Sequence, residues 1–218
     1  MRFIRSLLLL IYFVLFTVPY ATACFIAFPF MRADNRYWMA AGWCRATLHT
    51  VRWLNGIRYN ITGFENLPDG PAVLLSKHQS AWETLAFPAL MPRPLCYVFK
   101  RELLYVPFFG WALGMLKMVH IDRKEGKYAF ESVIKQGKQR MAEGAWVIMF
   151  PEGTRTPTGK QGKYKTGGAR FCDCYRRAGR ADRAQRRTCV AAQLVSQICG
   201  YSHSVDRQAN RHDGAHAR

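Results

Sequence analysis

Between Ser6 and Met31 the chain carries no charged residue and is dense in Leu, Ile, Phe and Val. A helix of about 20 apolar residues spans the hydrocarbon core of a bilayer, so this run is long enough to cross one. Arg2 and Arg5 precede it and Ala21-Thr22-Ala23 resembles a leader-cleavage site, yet the apolar character continues through Phe25, Ile26, Phe28 and Phe30. That continuation favours a retained anchor over a cleaved leader. Pro19 and Pro29 bend a simple rod, which leaves a kinked, shallow insertion open beside a straight span. Further on, Arg45, His49 and Arg52 recur at helical spacing within the Trp- and Leu-rich segment 38–54, the pattern of an interfacial amphipathic helix. Residues 1–56 are thus expected to form a membrane anchor and an interfacial helix. Arg32, Arg36, Arg45 and Arg52 outnumber the two arginines before the run, which places the remainder on the cytoplasmic side, and the expected location is the cell inner membrane.

Length and charge narrow the rest. At 218 residues the chain is one domain, or one domain with an anchor. Thirty-two Lys and Arg against 14 Asp and Glu give a net charge of +18, which favours a partner bearing phosphates: anionic lipid, nucleic acid or a phosphorylated substrate. The seven cysteines are odd in number and contain no C-x-x-C pair, so they predict neither a disulfide framework nor a zinc site. No metal or resident cofactor is expected.

From Arg58 the pattern becomes short β-type runs, at 58–62, 72–75, 96–99, 118–121 and 146–150, separated by helix-period stretches. The clearest helix lies between Glu125 and Glu143, where Phe130, Val133, Ile134, Gly137 and Met141 share one face. The alternation predicts an α/β domain over 57–171.

Three constellations follow predicted strands. The first is His78-Gln79-Ser80-Ala81-Trp82-Glu83. Five residues of helix turn through about 500°, so His78 and Glu83 meet only if the histidine sits in the strand-to-helix turn and the acid in the first helical turn. A carboxylate there can hold the imidazole while its other nitrogen takes a proton from a hydroxyl. The second is Lys100-Arg101-Glu102-Leu103-Leu104-Tyr105-Val106-Pro107-Phe108-Phe109-Gly110, with two cations at a strand's carboxyl end, where ligands of α/β sheets gather. The third is Phe150-Pro151-Glu152-Gly153-Thr154-Arg155, a tight turn offering a hydroxyl and a guanidinium suited to phosphate. Glu152 is expected to orient that cation or bind a substrate hydroxyl.

These three blocks, in this order, resemble the 1-acyl-glycerol-3-phosphate acyltransferases, also called lysophosphatidate acyltransferases, over about residues 58 to 170. The resemblance implies an α/β fold with a mixed sheet flanked by helices. It also implies transfer of a fatty acyl group from acyl-CoA or acyl-carrier protein to the 2-hydroxyl of lysophosphatidic acid, giving phosphatidic acid for phospholipid biosynthesis. By the same resemblance His78 is the general base and Glu83 its partner, Lys100 or Arg101 and Arg155 bind the glycerol phosphate, and Glu152, Gly153 and Thr154 shape that site. The family more often has Asp where this chain has Glu83, and Asn where it has Lys77. Its partners would be the bilayer, lysophosphatidic acid and the thioester donor, with no nucleic acid. A membrane-tethered basic protein that binds anionic lipid or nucleic acid without catalysis accounts for the charge but leaves the three ordered motifs unexplained.

After Phe171 the composition breaks. Residues 172–218 contain no Lys, Glu, Pro, Phe, Trp or Met but hold nine Arg and four of the seven Cys, the makeup of a basic, disordered tail. Codons for Cys172 to Arg186, read one base further along with permitted synonymous choices, spell A-T-A-T-G-A-P-V-V-P-I-A-H-N-A. The V-V-P-I run is a β-type segment that resembles the family's fourth motif. The tail is therefore expected to be an out-of-frame product that leaves the domain incomplete and impairs activity. Sequencing the coding DNA across codons 165–190 is expected to show one extra base whose removal restores the V-V-P-I frame; DNA that confirms the tail would reject the idea.

Overall fold

The computed structural model describes residues 2–61, 63–157, 160, 162–178 and 197–199. Two long helices come first, α1 (Arg2–Ala27) and α2 (Ala33–Asn55), joined through a 3-10 turn at Phe28–Phe30. Gly56 ends α2 in the left-handed region at φ 70°, where lack of a Cβ removes the steric cost. Then follow β1 (Arg58–Asn60), β2 (Val73–Leu75), α3 (Trp82–Leu90), β3 (Leu95–Lys100), α4 (Phe109–Met115), β4 (Val119–Ile121), α5 (Lys127–Ala142), β5 (Trp146–Met149), α6 (Gly167–Ala178) and β6 (Gln197–Cys199). The segment 3–30 is long and apolar enough to cross a membrane and is almost wholly uncovered by the rest of the chain.

Strands β2, β5, β3 and β4 lie side by side in that order, and every pairing among them is parallel. Among the described residues, antiparallel pairing is confined to β1 with β6. Because side chains alternate across a strand, the central sheet has two buried faces. Leu74, Leu95, Trp146 and Ile148 pack with Tyr37 and Ala41 of α2 and Phe87 of α3 on one face. Val73, Cys96, Val119 and Val147 pack with Val133 and Met141 of α5 and Phe171 of α6 on the other. Burial pushes the Cys96 thiol up to about 12, so this cysteine is a core residue with no thiolate at neutral pH.

Helix α2 links anchor and domain. Its Cys44 and Leu48 pack against Ala86 and Ala89 of α3. The Arg45 guanidinium donates to the Ala89 carbonyl at 3.0 Å and lies 5.1 Å from the centre of the Trp38 ring. At the far edge of the sheet, the Gln136 side chain accepts from the His120 N–H at 3.2 Å and donates to the His120 carbonyl at 3.0 Å. It thereby occupies the outer backbone groups of β4 as a neighbouring strand would.

The expected boundary after residue 171 falls inside α6, where Phe171 is fully buried and Cys172 and Tyr175 pack against the same core. The expectation of a disordered tail concerns residues most of which lie outside those described. Gly137 of α5 leaves the space that the Phe171 ring fills, and a methyl group there would overlap the ring. Gly137→Ala is expected to destabilise the domain by up to about 2 kcal/mol, because overpacking against a rigid buried ring costs about 1–3 kcal/mol and outweighs the ~1 kcal/mol gained in helix propensity. A thermal melt in detergent showing a lowered Tm would bear this out, and an unchanged or raised Tm would not.

Candidate active site

The strand order places the loops after β2, β5 and β3 at one carboxyl edge, and the first two hold each other directly. The Ser76 N–H donates to the Met149 carbonyl at 3.1 Å, carrying the β2–β5 pairing one residue beyond β2. Two residues later the chain turns. There the His78 N–H donates to Glu152 Oε2 at 2.8 Å, and the His78 carbonyl accepts from the Thr156 N–H at 2.8 Å. Both backbone polar groups of the histidine are thus gripped by the loop that follows β5. Glu152 and Thr156 are buried, 4% and 8% exposed, so this grip works out of bulk water.

The imidazole is oriented by its surroundings. Its ring stacks on Phe150 with centroids 4.1 Å apart and planes 18° from parallel. Its Nδ1 stands 3.5 Å from Glu83 Oε2, an electrostatic contact short of a hydrogen bond. Such contacts in substrate-free sites commonly tighten when the reacting groups are in place. With Nδ1 turned to the carboxylate, Nε2 is the nitrogen left to exchange a proton.

Glu83 is fixed from the other side. Its oxygens accept the N–H of Ser80 at 2.9 and 3.1 Å and that of Gln79 at 3.3 Å, while the Ser80 hydroxyl accepts from the Trp82 N–H at 3.1 Å. Ser80-Ala81-Trp82-Glu83 has the S-x-x-E spacing of a capping box at the start of α3, with the glutamate taking the Ser80 N–H and the serine hydroxyl taking the Trp82 N–H, one residue short of the reciprocal partner. The S-x-x-E spacing of a cap is present in the sequence, overlapping the histidine–acid pair. Ser80 therefore serves as a helix cap. Phe150 and Thr156 are the two site residues that sequence reasoning missed; the aromatic residue opening the FPEGTR block was the one available signal for the first.

The expected anion-binding residues are dispersed along the edge. Gly153 turns the loop at φ 68°, and its N–H donates to the Phe150 carbonyl at 3.0 Å. Thr154 and Arg155 follow it, both exposed, and no ion pair involving Arg155 occurs among the described residues. Glu152, expected beside that cation, instead turns inward to His78. An open cavity of about 670 Å³ lies beyond it, lined by Thr154, Thr156, Lys163 and Lys165 among others. Lys100, at the end of β3, is exposed. Its neighbour Arg101 is already paired, 2.9 Å from Asp122 and 3.8 Å from Glu125.

The model of the family described as "Acyltransferase" matches residues 58–175. The chain belongs to the acyltransferase family. Its relatives in that family include a 1-acyl-sn-glycerol-3-phosphate acyltransferase of Pseudomonas aeruginosa, 47% identical over 150 residues that make up 68% of this chain and 58% of the relative. The human 1-acyl-sn-glycerol-3-phosphate acyltransferase alpha is 31% identical over 124 residues, 56% of this chain and 44% of that protein. The match thus spans less than two thirds of either acyltransferase. The crystal structure of the 1-acyl-sn-glycerophosphate acyltransferase of Thermotoga maritima has the same fold, with a TM-score of 0.59 at 22% identity, over 79% of this chain and 70% of that one.

The Asp122 carboxyl is held below the usual carboxylate range, first by the Lys124 N–H it accepts at 2.9 Å and then by the Arg101 guanidinium. A depressed carboxyl supports the folded arrangement above its ordinary value of about 3.9, and that support is lost as pH falls through the lowered one. Carbon-13 NMR of the side-chain carboxyl is expected to show Asp122 titrating below that ordinary value. In Arg101→Gln it should move only partway back, because the Lys124 N–H, the first of the causes, is retained.

Proposed function

We propose that this chain transfers a fatty acyl group from acyl-CoA or acyl-carrier protein to the 2-hydroxyl of lysophosphatidic acid, forming phosphatidic acid at the cytoplasmic face of the inner membrane. The observation that carries the proposal is the histidine gripped at both backbone groups, with Nδ1 facing Glu83 and Nε2 left for the acceptor. His78 Nε2 takes the hydroxyl proton as the oxygen bonds to the thioester carbonyl carbon. The C–S bond then breaks, and the departing thiolate recovers that proton. Glu83 stabilises the imidazolium between the two steps. Lys100 and Arg155 supply uncompensated positive charge for the acceptor's phosphate, whereas Arg101 must first loosen its hold on Asp122.

Sheet topology supports the reading that the encoded domain is interrupted after α6. Helix α5 lies on the same face as α6 and carries the chain from β4 past β3 to β5; parallel crossovers share one hand. A strand reached through α6 on that face would therefore land beyond β2, and Gly168 of α6 already lies against Leu75 of β2. Among the described residues β2 has no partner on that side. The V-V-P-I run of the alternative frame is the β-type segment that would fill this place, and we propose that its loss lowers turnover.

The test is acyl transfer from acyl-CoA to lysophosphatidic acid by the membrane-reconstituted protein, in this chain and in a frame-restored one. The frame-restored chain is expected to be the more active. In it, His78→Ala and Glu83→Gln are each expected to lower kcat by about 10²–10⁴-fold. Turnover that survives His78→Ala would remove the proposal.

A further inference from the structure

The second sequence block contains more than its two cations. Beyond Glu102 the segment 103–116 is uncharged, and it exposes Tyr105, Phe108, Phe109 and Trp111 at 73%, 64%, 54% and 53%. Leu103 and Val106 are exposed beside them. A contiguous set of large apolar side chains left in the open marks a contact surface. The backbone goes out of its way to present it: Phe108, which precedes α4, adopts φ 62°, a conformation that a non-glycine residue keeps only where the surroundings enforce it.

The occupant is indicated by what this surface touches. Phe25 of α1 makes edge-on contacts with Phe108 and Trp111, with ring centroids 6.1 and 6.4 Å apart. Phe25 lies two residues from the end of α1, and Arg32 and Arg36 follow once the chain has passed the turn at Phe28–Phe30. That is the level at which an anchor leaves the hydrocarbon, where aromatic rings concentrate and basic side chains meet headgroups. Lys100 and Lys117 flank the exposed segment as Arg32 and Arg36 flank α1, and both are exposed.

We propose that residues 103–111 form a second membrane-contact element, an aromatic wedge seated in the interfacial layer of the leaflet where the C-terminal end of α1 emerges. The inference rests on the membrane reading of α1 and adds to it. The wedge directly follows the cations at the end of β3, so the sheet's carboxyl edge is held at the headgroups by two attachments and cannot swing away about the α1–α2 connection. Mobility of the anchor alone would not give that restraint.

The test is a nitroxide label on the full chain in bilayers of phosphatidylethanolamine and phosphatidylglycerol, with the native cysteines replaced. Labels are placed at Phe109→Cys in the wedge, Leu15→Cys on the exposed face of α1 and Glu131→Cys on the exposed face of α5. Accessibility to oxygen relative to a water-soluble nickel chelate is expected to be several-fold higher at 109 than at 131, and higher again at 15. A water-like value at 109 with a lipid-like value at 15 overturns the wedge and leaves the anchor standing; water-like values at both overturn the two together. Should cysteine replacement spoil folding, quenching by brominated phosphatidylglycerol in the native-cysteine chain decides instead. The fraction of fluorescence quenched is expected to fall in Trp111→Phe, and equal fractions overturn the wedge.

Discussion

The carboxylate of Glu152, buried and pointed at the backbone N–H of His78, is the interaction on which the rest of the site depends. It joins two loops 74 residues apart in the chain, and it does so through the backbone, leaving the imidazole free for chemistry. A parallel sheet makes this economical. Strands β2 and β5 are neighbours in register, so their following loops emerge side by side, and one acidic side chain can continue the ladder where regular pairing has stopped. Thr156 completes it from the other direction. With the backbone of His78 fixed, stacking on Phe150 and the nearby charge of Glu83 need only set the plane of the ring.

Much of this was legible in the sequence, for identifiable reasons. Strands β2, β3 and β5 are buried on both faces, so they stand out as short continuous apolar runs, and α5 shows its single apolar stripe. The site residues follow strands, as expected of an α/β sheet. Strand order was not legible, since nothing local in residues 146–149 says that they lie between β2 and β3. The backbone contacts of Glu152 and Glu83 are hard to read from the sequence for the same reason. An acidic residue beside an arginine in sequence suggests a cation's partner, whereas its real partner came from β2; and Glu83's second duty, capping α3, was in the spacing but was overshadowed by the histidine.

The site also shows how a chain with a large excess of positive charge keeps only some of it available. Arg101 is neutralised by Asp122 and Glu125, and Arg45 is spent on the end of α3 and the Trp38 ring. Lys100 and Arg155 stay unpaired among the described residues. Net charge indicates that an anionic partner is expected; the arrangement of carboxylates decides which cations can meet it.

Gln136 has a consequence for how the sheet can grow. A strand at the margin of a sheet is a template for any extended peptide, and proteins usually blunt such margins with charge, proline or a covering element. Here a single side-chain amide mimics the missing neighbour at His120 and closes that margin. The margin at β2 has no such plug among the described residues. Among the described residues the sheet therefore has a polarity: addition is barred beside β4 and open beside β2. If no strand of its own takes up that position, the molecule offers a docking groove to a foreign strand on one side only, so self-association by strand exchange would produce pairs joined at β2 instead of open-ended stacks.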